Sequence, residues 1–154
     1  MRLTMMTDYA LRLLMYVGQH RNRLCTIAEV AQSHDISKAH LMKITHQLAR
    51  HAWLDTVRGK GGGIRLATEP GNINIGVVVR TIEPDFHVME CFVADRCALT
   101  GRCRLTGIVQ GALGSFMNHL DRFTLADLLP DLPTDLHAPD HLSAPCDRPQ
   151  VRTR

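Results

Sequence analysis

The chain has 154 residues, 45% of them hydrophobic and only 5% aromatic, so it can bury one core built from aliphatic side chains. A net charge of +3 conceals an asymmetry: residues 1–67 hold ten Lys and Arg against four Asp and Glu, and residues 68–154 hold eight against eleven. No run of about eighteen apolar residues occurs, so no membrane-spanning helix is expected, and Asp8 and Arg12 interrupt the N-terminal apolar stretch, so no secretory signal is expected either.

In chain order, residues 7–20 read as a helix: Ala10, Leu13, Leu14 and Val17 recur at the spacing of one helical face. Thr7 or Asp8 is placed to cap it. Residues 26–33 read as a second helix, opened by a Thr26/Glu29 capping box and buried along Ile27, Val30 and Ala31. Ser33-His34-Asp35 reads as a turn. Ser37 then caps a third helix that runs to about Ala52 with Leu41, Ile44 and Leu48 inward. Leu54 to Arg58 and Ile64 to Ala67 form a hairpin around Gly59-Lys60-Gly61-Gly62-Gly63. Residues 75–82 form a short apolar helix stopped by Pro84, and residues 85–103 a loop. Residues 104–122 form a long helix with Ile108, Leu113, Phe116, Met117 and Leu120 apolar, followed by one more helical turn at 124–129. Five of the seven prolines fall within 130–154, a composition that predicts a disordered tail.

Two short helices joined by a tight turn, then a Gly-rich hairpin, make the pattern of a winged helix-turn-helix. The predicted fold is therefore mainly α with a small β-hairpin wing and one further long helix. Three regions follow: 1–82 as the winged helix-turn-helix, 83–129 as the cysteine loop with the long helix, and 130–154 as the tail. The third helix would enter a major groove of DNA. Its polar face offers Lys38, His40, Lys43, Thr45, His46 and Arg50, and Ser37 can both cap the helix and meet a phosphate. The wing adds Arg58, Lys60 and Arg65, with Gly61 and Gly62 allowing close backbone approach to a phosphate. The basic N-terminal half suits such a polyanion. A small helical bundle with a solvated basic face would show the same charge.

Five cysteines is an odd count, and clustered cysteines in a chain without an export signal point to metal or redox chemistry rather than a disulfide framework. Cys91, Cys97 and Cys103 stand six residues apart in the segment CFVADRCALTGRC. Structural zinc sites usually pair cysteines two to four residues apart. The wider, even spacing leaves loops able to wrap something larger than one ion, such as an iron–sulfur centre. Phe92, Val93, Leu99 and Leu105 can shield it from water, and Arg96, Arg102 and Arg104 can offset its negative charge. Zinc bound with help from His87 or an acid, a metal-free thiol switch, and inert core cysteines stay open at this point. Cys25 reads as a buried core residue, and Cys146, in the tail, as incidental.

With the MRLT opening, the helix-turn-helix, the wing VRGKGGGIRLA at 57–67 and these three cysteines, residues 1 to about 129 resemble the small winged-helix iron–sulfur repressors. That family includes nitric-oxide sensors and regulators of cluster biogenesis. The resemblance implies a cytoplasmic homodimer, joined through the 104–122 helix, that binds a palindromic double-stranded DNA operator. It implies a 4Fe–4S cluster on Cys91, Cys97 and Cys103, with a 2Fe–2S form after damage. The cluster-biogenesis branch carries a histidine three residues after the last cysteine, where this chain has Thr106. The nitric-oxide-sensing branch uses an aspartate at the start of the first helix, given by the partner subunit, and this chain has Asp8 there. The resemblance thus favours a repressor controlled by nitric oxide. On residue chemistry alone, Asp8 is a helix cap or a first-turn acid favoured by the helix dipole. The rivals are a zinc- or thiol-based repressor on the same fold and an iron–sulfur electron carrier. No enzyme is expected, because none of the nine histidines lies in a recognisable catalytic motif.

Overall fold

A computed structural model describes residues 2–89 and 103–129. The expectations for Cys91, Cys97 and the cysteine loop, for Cys146 and for the 130–154 tail lie outside the described residues. Helix α1 spans Met5–Gln19, α2 Ile27–His34 and α3 Lys38–Arg50. Strands β1 (Leu54–Val57) and β2 (Gly63–Leu66) follow, then a 3-10 turn at Pro70–Asn72, α4 (Ile75–Ile82), α5 (Arg104–Leu120) and a 3-10 turn at Leu125–Leu128.

Local chemistry sets the helix starts. Thr26 accepts from the Glu29 N–H at 3.2 Å and caps α2. The reciprocal half of the expected box is different: the Glu29 carboxylate takes the Thr26 hydroxyl at 3.2 Å and pairs with Arg23 at 2.6 Å. Ser37 accepts from the His40 N–H at 3.3 Å and caps α3. The cap of α1 is Thr4, not Thr7 or Asp8. Thr4 accepts from the Thr7 N–H, and Thr7 itself is fully buried one turn inside the helix. The apolar period begins too late to show this extra turn, which Met5 and Met6 fill.

The core forms where α1 packs on α3 and α4. Ala10, Leu13 and Leu14 of α1 and Leu41, Ile44 and Leu48 of α3 are 0% exposed. Each of these leucine and isoleucine side chains contributes about 1.5–3 kcal/mol on burial. Cys25, Leu54, Ile64 and Val78 close the same cluster. The hairpin pairs Leu54 with Leu66 and Thr56 with Ile64 in antiparallel register. A third piece of backbone joins it, which the sequence pattern does not show: Cys25 exchanges both backbone hydrogen bonds with Ile64, at 2.9 and 2.7 Å. Gly63 permits this approach, because a Cβ there would lie 2.6 Å from the Cys25 carbonyl oxygen.

After α5 the chain returns to the head. Ile75 N–H donates to the Phe123 carbonyl at 2.9 Å, and Leu125 N–H to the Ile73 carbonyl at 2.8 Å. Leu125 and Leu129 are buried in the main core, with Leu129 against Gly18 of α1. Arg80 of α4 donates to the Asp121 carboxylate from both terminal guanidinium nitrogens, and Asn74 donates to the Asp121 carbonyl at 2.7 Å. A second cluster, Ile75, Val79 and Met117, gathers Leu113, Phe116 and Leu120 around it. Only Met117 of the seventeen α5 residues is buried, and Leu105 and Ile108 stand 52% and 69% exposed.

Candidate nucleic-acid interface and cysteine centre

Helices α2 and α3 meet at a turn built on Asp35, whose φ of 53° is left-handed, and on Ile36, which is 4% exposed. The Ile36 N–H returns to the Ala31 carbonyl at 3.0 Å, so the turn closes α2 while its one apolar side chain enters the core. That geometry leaves the opposite side of α3 in solvent: Lys38, His40, Lys43, His46 and Arg50 are all exposed. No acidic residue occurs in α3. Thr45, expected on this face, is instead 6% exposed and lies with Leu41 and Leu48 on the inner stripe. Four residues after Leu41 and three before Leu48, it belongs to the same helix face, and the hydroxyl masked this in the sequence. Ser37 is occupied twice, by the His40 N–H and by the His40 Nδ1 at 2.9 Å. His40 also sits near Tyr9 of α1, with ring centroids 6.0 Å apart.

The wing presents Arg58, Lys60 and Arg65, all exposed. Gly59 and Gly61 take φ of 99° and 80°, a conformation that other residues adopt only with strain. At Gly62 a Cβ would lie 2.2 Å from the Val57 carbonyl oxygen, so the tip cannot widen its side chains here. Arg65 faces Asp55 across the strands at 3.5 Å, a loose and exposed pair. Among the described residues Arg58 and Lys60 make no ion pair. Reading helix and wing thus each present exposed cations on a single packed head, which suits phosphate binding.

Of the three loop cysteines, Cys103 is described. It is half-buried at the N-terminus of α5. The Thr106 hydroxyl, then the backbone amides of Thr106 and Leu105, favour its thiolate and hold its pKa below the usual thiol range. These are surroundings that suit a thiolate ligand to a soft metal. Thr106 therefore serves Cys103 at the position where a histidine ligand would otherwise stand. Cys25 contrasts with it: burial pushes its thiol up to about 11, in keeping with a core residue. Asp8 lies in the first turn of α1 and pairs with Arg12 one turn on, at 3.0 Å, with about half of its side chain exposed. His87 is exposed and faces Asp85 at 3.4 Å. Among the described residues no three His, Cys, Asp or Glu converge on a metal position.

Glu83 was not a sequence candidate. It is only 9% exposed, and its Oε1 accepts from the Thr4 N–H at 2.7 Å and the Thr4 hydroxyl at 3.2 Å. The start of α1 is thereby tied to the segment that leads towards Cys91. The signal in the sequence was slight: one acid beside Pro84, at the end of an apolar helix.

The profile of the Rrf2 family, described as an iron-dependent transcriptional regulator, matches residues 3–131. The HTH-type transcriptional regulator NsrR of Bacillus subtilis is 42% identical over 132 residues, covering 84% of this chain and 90% of its own length. The NsrR of Geobacillus kaustophilus is 43% identical over 134 residues, covering 85% of this chain and 91% of its own. Among solved structures, T. potens IscR superposes with a TM-score of 0.68 at 23% identity, over 90% of this chain and 93% of that one. CymR, the global cysteine regulator of B. subtilis, superposes with a TM-score of 0.64 at 22% identity, over 83% and 95%. At those identities the two structures speak for the fold alone, and the predicted winged helix-turn-helix stands. The relatives are regulators and not enzymes, and by family profile and by NsrR identity this chain belongs to the Rrf2 family of transcriptional regulators.

Proposed function

We propose that this chain is a cytoplasmic, homodimeric repressor that binds a palindromic operator and is controlled by nitric oxide through a 4Fe–4S cluster. Cys91, Cys97 and Cys103 would hold three irons, and Asp8 of the partner subunit the fourth. DNA would be held by Ser37, Lys38, His40, Lys43 and His46 on α3 and by Arg58, Lys60, Gly61, Gly62 and Arg65 on the wing. The observation that carries the DNA-binding part is the acid-free cationic face of α3 together with a basic wing on which Arg58 and Lys60 make no ion pair among the described residues. The NsrR relatives and the thiolate-favouring seat of Cys103 support the cluster part. The bound cluster supplies iron open to nitric oxide, most readily at an oxygen-ligated corner.

The residues of this chain supply the coupling. Among the described residues the Asp8 side chain is held only by Arg12, and an exposed pair one helical turn apart is worth ~0.3–0.5 kcal/mol, so it exchanges readily for a metal bond. Helix α1 packs on α3, and Glu83 at the end of α4 holds the N-cap residue Thr4 of α1. A bond from Asp8 across the dimer would hold the two reading helices at a set spacing, about one turn of DNA (~34 Å) for adjacent half-sites. Losing it lets the spacing drift.

The test is native mass spectrometry of anaerobically purified protein, followed by nitric oxide titration of operator binding. Four iron and four sulfide per chain, with DNA released as nitric oxide is added, are expected. Asp8→Ala should keep a cluster and change its response. An Asp8→Ala protein identical to wild type in spectrum, titration and binding removes Asp8 from the ligand set. Zinc alone, or no metal after attempted reconstitution, removes the cluster and leaves a winged-helix DNA binder.

A further inference from the structure

The outer face of α3 is cationic but not uniformly polar. Ala39 lies on the stripe that continues to His46 and Arg50, and Met42 stands beside it, 64% exposed. Its sequence neighbours Leu41 and Ile44 are 0% exposed, so α3 already has its apolar stripe, and Met42 points away from it. A lone exposed methionine elsewhere on a protein would need no explanation. This one lies within the row of donors Lys38, Lys43 and His46, on the surface assigned to the major groove. Residues three apart on a helix stand about 5–6 Å apart at Cβ, so Ala39 and Met42 form one small apolar step between cations.

The edges of the base pairs offer donors and acceptors in the major groove, and one apolar group: the C5-methyl of thymine. A thioether side chain can give a base edge little hydrogen bonding, but it is flexible and polarizable and fits around a methyl group. We infer that Met42, with the Ala39 methyl beside it, reads a thymine C5-methyl in each half-site of the operator. This rests on the DNA-binding role proposed for α3 and deepens it: the cations set position and affinity, while the apolar step selects thymine over the bases that lack the methyl.

The experiment uses anaerobically purified protein and a random-sequence duplex library, from which the tightest-binding duplex is selected. Each thymine of that duplex is then replaced by deoxyuridine, which removes only the methyl. For wild type, one symmetric thymine should show about a fourfold loss in affinity per half-site, or ~0.8 kcal/mol at 1.4 kcal/mol per tenfold. Met42→Gln should bind the thymine duplex more weakly and no longer distinguish it from the deoxyuridine one. Lys43→Ala should weaken both duplexes and keep the distinction. Met42 is exposed, so its replacement leaves the core untouched, and circular dichroism checks this. A methyl effect that survives in Met42→Gln, or no thymine whose methyl matters, overturns the inference while DNA binding stands. A library that yields no preferred duplex overturns the DNA-reading role and this inference together.

Discussion

The reading head and α5 are both helical and both rich in apolar residues, yet they bury them differently. In the head, α1 and α3 face each other through side chains at 0% exposure, and a bridge from Cys25 and the returning Leu125 close the core. In α5 one residue of seventeen is buried, and the N-terminal half holds Leu105 and Ile108 out to solvent. The head therefore satisfies its own pattern. The first half of α5 carries an apolar face that nothing among the described residues covers, which is the arrangement expected of a helix that packs on a second copy of itself.

The sharpest way to break this comparison is a pair of substitutions. Leu41→Ala opens a cavity in the head and should cost ~2–5 kcal/mol in chemical denaturation. Ile108→Asp should leave the unfolding of the head unchanged but convert a dimer to a monomer in sedimentation equilibrium. A dimer that survives Ile108→Asp would place the subunit contact elsewhere. Next in size is Glu83→Ala. It leaves the Thr4 N–H at the start of α1 without its acceptor, in a half-buried place, and should cost ~1–3 kcal/mol. If stability does not change, the tie between the start of α1 and the end of α4 carries no energy. A smaller effect is expected at the DNA surface. Lys43→Ala should weaken binding evenly across sequences and lower the slope of log affinity against log salt by about 1 per half-site, or about 2 for a dimer on both. The smallest contrast separates two thiols. With a pKa near 11 and no exposed surface, Cys25 keeps about one thiolate in a thousand at pH 8 and should resist alkylation in the native protein. Cys103, half-buried with its pKa lowered, should react far faster once metal-free. Mass spectrometry of peptides after brief labelling reads the ratio, and rapid labelling of Cys25 would show that the head opens locally.

The sequence alone determined what depends on neighbours along the chain. The spacing of Leu13, Leu14 and Val17, the caps Thr26 and Ser37, and the glycines of the wing each act within about one turn or one hairpin, so their pattern is written locally. The winged helix-turn-helix followed from them, and the motif resemblance led to the family. The exposed cations on α3 were legible for the same reason, since a helix with one apolar stripe must turn its charges outward. Thr45 was the exception, because a hydroxyl on the inner stripe looks polar in a list of residues. What only the tertiary structure decided joins residues far apart: Thr4 with Glu83, Cys25 with Ile64, Gly18 with Leu129, Arg80 with Asp121. No local pattern marks such partners, because each is chosen by the packing of whole helices. The same packing turns Met42 towards solvent and leaves the apolar half of α5 without cover among the described residues.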